Sequence, residues 1–271
     1  MNRPKINHDK ETASEDAVFA VIICAAGASA RMGKGIKKEY CLLHDGLTVL
    51  GAAVCAFGKF PEIKEIVITV PDDPQTGEAA AREALRSLPL FGERSMTIHF
   101  VSGGQTRQAS VFNALSLLAD YNPDYVLIHD GARPFVSHTL IARIIAGVKQ
   151  HHAIIPLLPL TETPKETDEP LNDSNTVLIQ RHPRRALTAA AQTPQAFSFS
   201  GIFAAHKKAI EGNSAAIEFT DDAEIWASFN GPVAAILGRS ENKKITHPED
   251  LFPGNKEILE NSDLNKRGVR C

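Results

Sequence analysis

The sequence predicts an α/β fold: a Rossmann-like, mostly parallel (mixed) sheet with helices on both faces. Three observations predict it. From Ala17 onward, short apolar runs alternate with longer amphipathic ones, the rhythm of strands joined by covering helices. The first run, AVFAVIICA (17–25), is apolar throughout and rich in β-branched residues, as a strand buried on both faces requires. Polar motifs then come directly after strand-like runs, at the edge where parallel sheets bind ligands.

The elements read in order. Residues 49–60 have helical spacing, and EIVITVP (65–71) is a strand stopped by Pro71. TGEAAAREALRSL (76–88) is a strong helix former, and MTIHFVSGG (96–104) is strand-like and closes on two glycines. In residues 106–120 Val111, Phe112, Leu115 and Leu118 share one helical stripe. YVLIHDGARP (125–134) is a strand entering a loop, and 137–150 is a helix with Ser137 at its N-cap. AIIPLLPL (153–160) is another strand. The stretch 161–195 is polar and proline-rich, with only TVLIQ (176–180) strand-like. A loop of that length is uncommon in a compact domain, so it reads as a lid or as an arm that reaches a neighbour. Helical pattern returns at 199–212. VAAILG (233–238) is expected as the last central strand, and HPEDL (247–251) as the opening of a terminal helix. Residues 1–16 form a polar leader expected to be disordered, 17–251 one domain, and 252–271 a polar tail.

Composition narrows the function. A net charge of -3 argues against nucleic acid or an acidic membrane as partner. No apolar run reaches the roughly 18 residues that span a bilayer. Cys24, Cys41, Cys55 and Cys271 show no CxxC pairing, so they read as reduced thiols in a cytoplasmic chain without metal-site spacing.

Against that acidic background the segment CAAGASARMGKGIKKEY (24–40) is a local concentration of cations. Its small residues let main-chain N–H groups approach a phosphate. It is no P-loop: five residues separate Gly27 from Gly33, and Gly35 stands where Mg²⁺ needs a hydroxyl. It is no dinucleotide fingerprint either, because Ser29 and Met32 hold the second and third glycine positions. Four polar motifs end strands: AAGASARM, SGGQTRQAS, HDGARP and GRSENKKIT. They and the residues beside them carry Arg31, Lys38, Arg107, Arg133 and Lys244, which points to an anionic ligand.

Six motifs in order, AAGASARMG, GGQTRQASVFNAL, HDGARP, QTPQAF, TDDAE and NKKITHPEDL, resemble the 2-C-methyl-D-erythritol 4-phosphate cytidylyltransferase family over roughly Val18 to Leu251. The resemblance implies a nucleotidyltransferase of non-mevalonate isoprenoid biosynthesis that joins CTP to a polyol phosphate and releases pyrophosphate. It implies Mg²⁺ held mainly by the CTP phosphates, and a homodimer built through the 161–195 arm. Arg31 and Lys38 would stabilise the transition state at the α-phosphorus, and Lys244 would hold the incoming phosphate and the α-phosphate. Ala25, Ala26 and Gly27 would meet the nucleotide through their backbone, and Gly104 and Ser110 would read the cytosine. Asp130 would touch the ribose or the Mg²⁺ shell, two alternatives the residues leave open. Arg133, Thr163, Thr193 and Thr220 would bind the acceptor, and Arg185 would complete the site of a partner chain. A sister family uses ribitol 5-phosphate; Thr163 and the Arg184–Arg185 pair favour methylerythritol. A protein that senses nucleotide without turnover would not need cations at the reacting phosphorus.

The chemistry agrees with the residues. A phosphate monoester is already anionic and needs no general base, and the chain offers no nucleophile–His–acid set. The reaction needs charge cancellation. Arg107 is expected to pair with a nearby acid, His129 to be a satisfied core histidine and Trp226 to pack. Three positions depart from the family pattern: Ser29, for a common glycine, and Lys37 and Glu39, for proline and glutamine around Lys38. Ser29 would stiffen the loop, and Glu39 would set a negative charge near the triphosphate.

Overall fold

The computed structural model describes residues 16–29, 32, 37–73, 75–86, 88, 96–211 and 219–251. Arg31, the leader before residue 16 and the tail 252–271 lie outside the described residues. The strands are β1 (Phe19–Cys24), β2 (Ile63–Val70), β3 (Thr97–Ser102), β4 (Tyr125–Asp130), β5 (Ala153–Pro159), β6 (Glu166–Thr167), β7 (Ile179–Arg181), β8 (Ala189–Ala191), β9 (Gln195–Ser198) and β10 (Ala234–Leu237). The helices are α1 (Val49–Phe57), α2 (Glu78–Ala84), α3 (Arg107–Leu118), α4 (His138–His151), α5 (Phe199–Glu211) and α6 (Asp222–Asn230).

Alternation along each strand divides the core in two. In β1 the side chains of Phe19, Val21 and Ile23 enter one apolar cluster, and Ala20 and Ile22 enter the other. In β4 Tyr125 and Leu127 face the first, Val126 and Ile128 the second. Helices α1, α2 and α4 cover the first face through residues such as Leu50, Ala81 and Ile144. Helices α3, α5 and α6 cover the second through Leu115, Ile202 and Trp226. Trp226 stacks on Phe197 of β9, the packing role its sequence context suggests. Thr48, Thr106, Ser137 and Asp221 cap α1, α3, α4 and α6, each side chain accepting an N–H three residues on. Such caps are worth about 1 kcal/mol apiece.

The sheet runs β10-β5-β9-β4-β1-β2-β3. β1, β2, β3 and β4 pair in parallel, while β9 runs antiparallel between β4 and β5. From β1 the chain steps outward to β2 and β3, then returns to lay β4 on the other side of β1. That reversal is the topological switch point, where open α/β sheets leave a crevice.

Several expectations change. The run 233–238 is an edge strand and not a central one: among the described residues β10 pairs only with β5, and Leu237 is 56% exposed. Its apolar composition serves one face alone. The strand expected at 176–180 forms three residues later, as β7, and pairs with β6 outside the main sheet. The segment 161–195 is not structureless throughout. Its last residues enter the main sheet as β8, which lies antiparallel on β5, and as the start of β9. Residues 161–188 remain as the projecting part. The PEDL segment (Pro248–Leu251) is a single 3-10 turn at the end of the described residues.

Candidate active site

The carboxyl ends of β1 and β4 are in register, Cys24 opposite Asp130, and the loops that leave them diverge to open a cavity of about 500 Å³. The segment after β1 supplies Ala26, Gly27 and Ser29. The loop after β3 supplies Gly104, the start of α3 supplies Arg107, and the loop after β10 supplies Lys244. Lys38, Ser110 and Asp130 complete the part of the wall named by the sequence. Four loops from distant parts of the chain therefore do make one site.

Close packing explains Gly103 and Gly104. A Cβ on Gly103 would sit 2.3 Å from the Cβ of Ala26, and one on Gly104 would sit 2.4 Å from that of Ala109. The loops after β1 and β3 thus approach because Gly103 lacks a side chain, and Gly104 leaves room for the close turn into α3. Ser110 fixes the result: its hydroxyl accepts from the Gly104 N–H at 3.0 Å and donates to the Thr106 carbonyl at 2.9 Å. The Ala25 N–H is already held by Thr69, and Ala25 is fully buried, so Ala25 supports the wall and is not part of it.

Charge is concentrated at Asp130. Its Oδ2 lies 3.1 Å from Arg133 Nε and 3.2 Å from Lys244 Nζ. Burial alone would raise its pKa, but Lys244, Arg107 and Arg133 together hold the carboxyl well below the usual carboxylate range. Lys38 Nζ donates to the Ile245 carbonyl at 3.1 Å, and the Ile245 N–H bonds to Ala132 at 2.8 Å. The two lysines thus meet at the loop after β10. Arg107 pairs with an acid as expected: its Nη2 lies 2.7 Å from Oδ2 of Asp222, which is fully buried and also meets His206 Nε2 at 3.1 Å. Burial would raise the Asp222 pKa, yet Arg107 and then His206 bring it down to about 2.

Residues assigned to the acceptor by resemblance stand elsewhere in the single chain. Arg133 spends its fork on Asp130 and on the Asn242 carbonyl, 2.8 Å away. Thr193 is buried behind Asp130: its Oγ1 accepts from the Asp130 N–H and meets His129 Nδ1, both at 3.0 Å. Thr220 is exposed, and its hydroxyl donates to Glu224 at the start of α6. Thr163 is exposed on the projecting segment, and Arg185 there donates to the Thr161 carbonyl at 2.9 Å. None of the five lines the cavity. His129 is a satisfied core histidine, with Nε2 on the Arg133 carbonyl; burial lowers its pKa to about 4.

The QTPQ motif proves to be a set of ties. Gln192 Nε2 donates to the Arg239 and Asn242 carbonyls and so holds the loop bearing Lys244. Gln195 bonds Asp221 and the Ala223 N–H, which anchors α6. Between them the Thr193–Pro194 peptide is cis. Sequence reasoning missed Gln192 and Asn242 as positioning residues, although both sit inside the motifs QTPQAF and GRSENKKIT. The expectation for Glu39 is also corrected. Its carboxylate lies 3.0 Å from Lys37 Nζ and is 4% exposed, so it adds no uncompensated charge to the site. Ser29 has a left-handed backbone (φ 53°), which explains why glycine is common there.

The model of the 2-C-methyl-D-erythritol 4-phosphate cytidylyltransferase family matches residues 19–260. The chain belongs to this family. It is 38% identical over 235 residues to a bifunctional enzyme IspD/IspF of Bradyrhizobium sp., covering 86% of this chain and 54% of that protein. The chain thus spans about half the length of the curated relatives it matches. Among solved structures it is similar to 4-diphosphocytidyl-2C-methyl-D-erythritol synthase of Anaerococcus prevotii, with TM-score 0.70 and 27% identity over 90% of this chain and 97% of that one. It is likewise similar to 2-C-methyl-D-erythritol 4-phosphate cytidylyltransferase of Thermus thermophilus, with TM-score 0.62 and 30% identity over 87% and 95% of the two chains. Among the described residues no helix is long and apolar enough to cross a membrane.

Proposed function

We propose that the chain transfers a cytidylyl group from CTP to 2-C-methyl-D-erythritol 4-phosphate, giving 4-diphosphocytidyl-2-C-methyl-D-erythritol and pyrophosphate, as a cytoplasmic step of isoprenoid biosynthesis. One observation carries this reading. A cavity at the switch point is walled by close-packed glycine loops and by Lys38, Arg107 and Lys244. A phosphate oxygen of the acceptor attacks the α-phosphorus, and the bond to the pyrophosphate oxygen breaks. No proton need move, and none of the described residues lining the cavity is a histidine. Lys38 and Lys244 would offset the charge that accumulates on the α-phosphoryl oxygens, and Arg31 would join them. The Gly27 and Gly104 segments would hold nucleotide.

Mg²⁺ belongs to the same proposal. Among the described residues no group of three or more His, Cys, Asp or Glu could hold a metal ion. Among the described residues two carboxylates line the cavity: Glu39, paired with Lys37, and Asp130, which meets Lys244. That donor set suits an ion carried largely by phosphates and water, with Asp130 as a protein ligand. When bound, the ion would neutralise phosphate oxygens as the cations do.

The acceptor residues Thr163, Thr220 and Arg185 gain a role in a homodimer. The projecting segment exposes Leu171 (72%), Leu178 (71%), Ile179 (52%) and Leu187 (79%), which supports an arm that packs on a second copy and carries Arg185 to that copy's cavity. Pyrophosphate release from CTP, UTP, ATP and GTP, each with methylerythritol phosphate and with ribitol 5-phosphate, tests the reading. CTP with methylerythritol phosphate is expected to lead. UTP should lose by roughly 1–3 kcal/mol per unsatisfied polar group in a site built against an amine. Equal efficiency with CTP and UTP, or faster turnover of ribitol 5-phosphate, refutes the specificity; no release from any pair refutes the activity.

A further inference from the structure

The three positions that depart from the family pattern touch one another. Lys37 (6% exposed) and Glu39 (3% exposed) form a buried ion pair at 3.0 Å. Ser29 Oγ donates to Glu39 Oε2 at 3.1 Å and accepts from the main-chain N–H of Lys38 at 3.3 Å. Lys37 Nζ also donates to the Gly27 carbonyl. Gly27 and Ser29 lie at the start of the cation-rich segment, Lys37 to Glu39 at its end. The cluster therefore clamps the two ends together.

We propose that Ser29, Lys37 and Glu39 are a positioning unit that sets where Lys38 delivers its charge. Stability is a poor reason for this cluster, because a buried ion pair is seldom more stabilising than an apolar pair of the same volume. Its geometry has a direction instead. Ser29 grips the backbone of Lys38 from one side, while the far end of the Lys38 side chain reaches the Ile245 carbonyl beside Lys244. Lys38 is thus held at its main chain and at its Nζ, and the unit governs the first of these. Glu39 is charge-paired by Lys37, so the unit adds no net charge beside Lys38. The three residues answer a common problem: a serine in the left-handed region gives up the freedom of glycine, and its hydroxyl bonds compensate.

The inference rests on the cavity being the site of cytidylyl transfer. Its test is a double-mutant cycle on turnover, read as pyrophosphate release from CTP and methylerythritol phosphate. Lys37→Met is made alone and together with Lys38→Ala. If the unit acts through Lys38, Lys37→Met lowers kcat about tenfold in the wild-type background and less than about twofold where Lys38 is already alanine. Equal fractional losses in both backgrounds overturn the proposal, since a merely structural lesion reduces both alike. Should Lys37→Met fail to fold, Ser29→Ala repeats the cycle with the ion pair intact, and several-fold loss confined to the Lys38-containing background is expected. A wild-type protein without turnover overturns the activity itself, and an active one with additive losses overturns only the positioning role.

Discussion

Asp222 is the residue whose loss should cost most for the smallest change of shape. The Asp222→Asn substitution keeps its volume but removes a fully buried charge that faces Arg107 at 2.7 Å and His206 at 3.1 Å. Breaking a buried pair by one partner costs about 3–5 kcal/mol. Arg107 is 33% exposed and recovers some hydration, so the lower end, about 3 kcal/mol, applies. Linkage gives an independent figure. A carboxyl moved from 3.8 to about 2 is stabilised by roughly 2 kcal/mol. Its folded pKa lies below the unfolded one, so this stability is present above pH 4 and drains away as pH falls towards 2. Urea unfolding of both proteins at pH 7 and at pH 3 is the assay. At pH 7 the variant should be about 2–3 kcal/mol less stable, which corresponds to about 4–6 °C in Tm for a chain of this size. At pH 3 the gap should shrink by about 1 kcal/mol. A variant as stable as wild type at pH 7, or a gap that widens on acidification, would falsify the view that Asp222 anchors the Arg107 wall as a carboxylate.

Three further outcomes are expected. Lys38→Ala should lower kcat by on the order of 10²–10³ while CTP affinity changes far less, because its charge matters most where charge develops; an unchanged kcat removes Lys38 from the chemistry. Lys38→Ala and Arg185→Ala, each nearly inactive, should regain activity when unfolded together and refolded: with random pairing about half the dimers are mixed and roughly a quarter of all sites carry neither defect. No recovery in a sample shown to contain mixed dimers returns the projecting segment to a lid. His129, buried and neutral with a pKa near 4, should make the protein less stable as pH falls from 6.5 to 4, by on the order of 3 kcal/mol. The His129→Gln variant should flatten that limb of the Tm–pH curve, and an unaltered limb assigns it to other groups.

Most strands and helices and the chemical character of the loops are legible along the chain, but β8 and the antiparallel β9 inside the sheet are not. The apolar runs of β1 and β4 and the capping residue Ser137 act over a few neighbours, so the order of residues suffices to read them. The glycines of the third-strand loop were legible too, but not the reason for Gly103, which is the 2.3 Å clash a side chain would make with Ala26, nearly 80 positions away. Only the tertiary structure decided which residues face the cavity and which hold it open. Nothing in QTPQ or HDGARP says that Thr193 bonds the Asp130 backbone, or that Arg133 turns away to Asn242, because each bond joins segments more than 60 residues apart. The same holds for the edge position of β10, whose apolar run does not reveal how many neighbours it has. It holds most clearly for Glu39. Read along the chain it is an unwelcome anion beside a phosphate site, and the Lys37 two positions before it looks like one more loop cation. Burial strips both of water, and in that medium two opposite charges 3.0 Å apart pair with each other before they act on anything else.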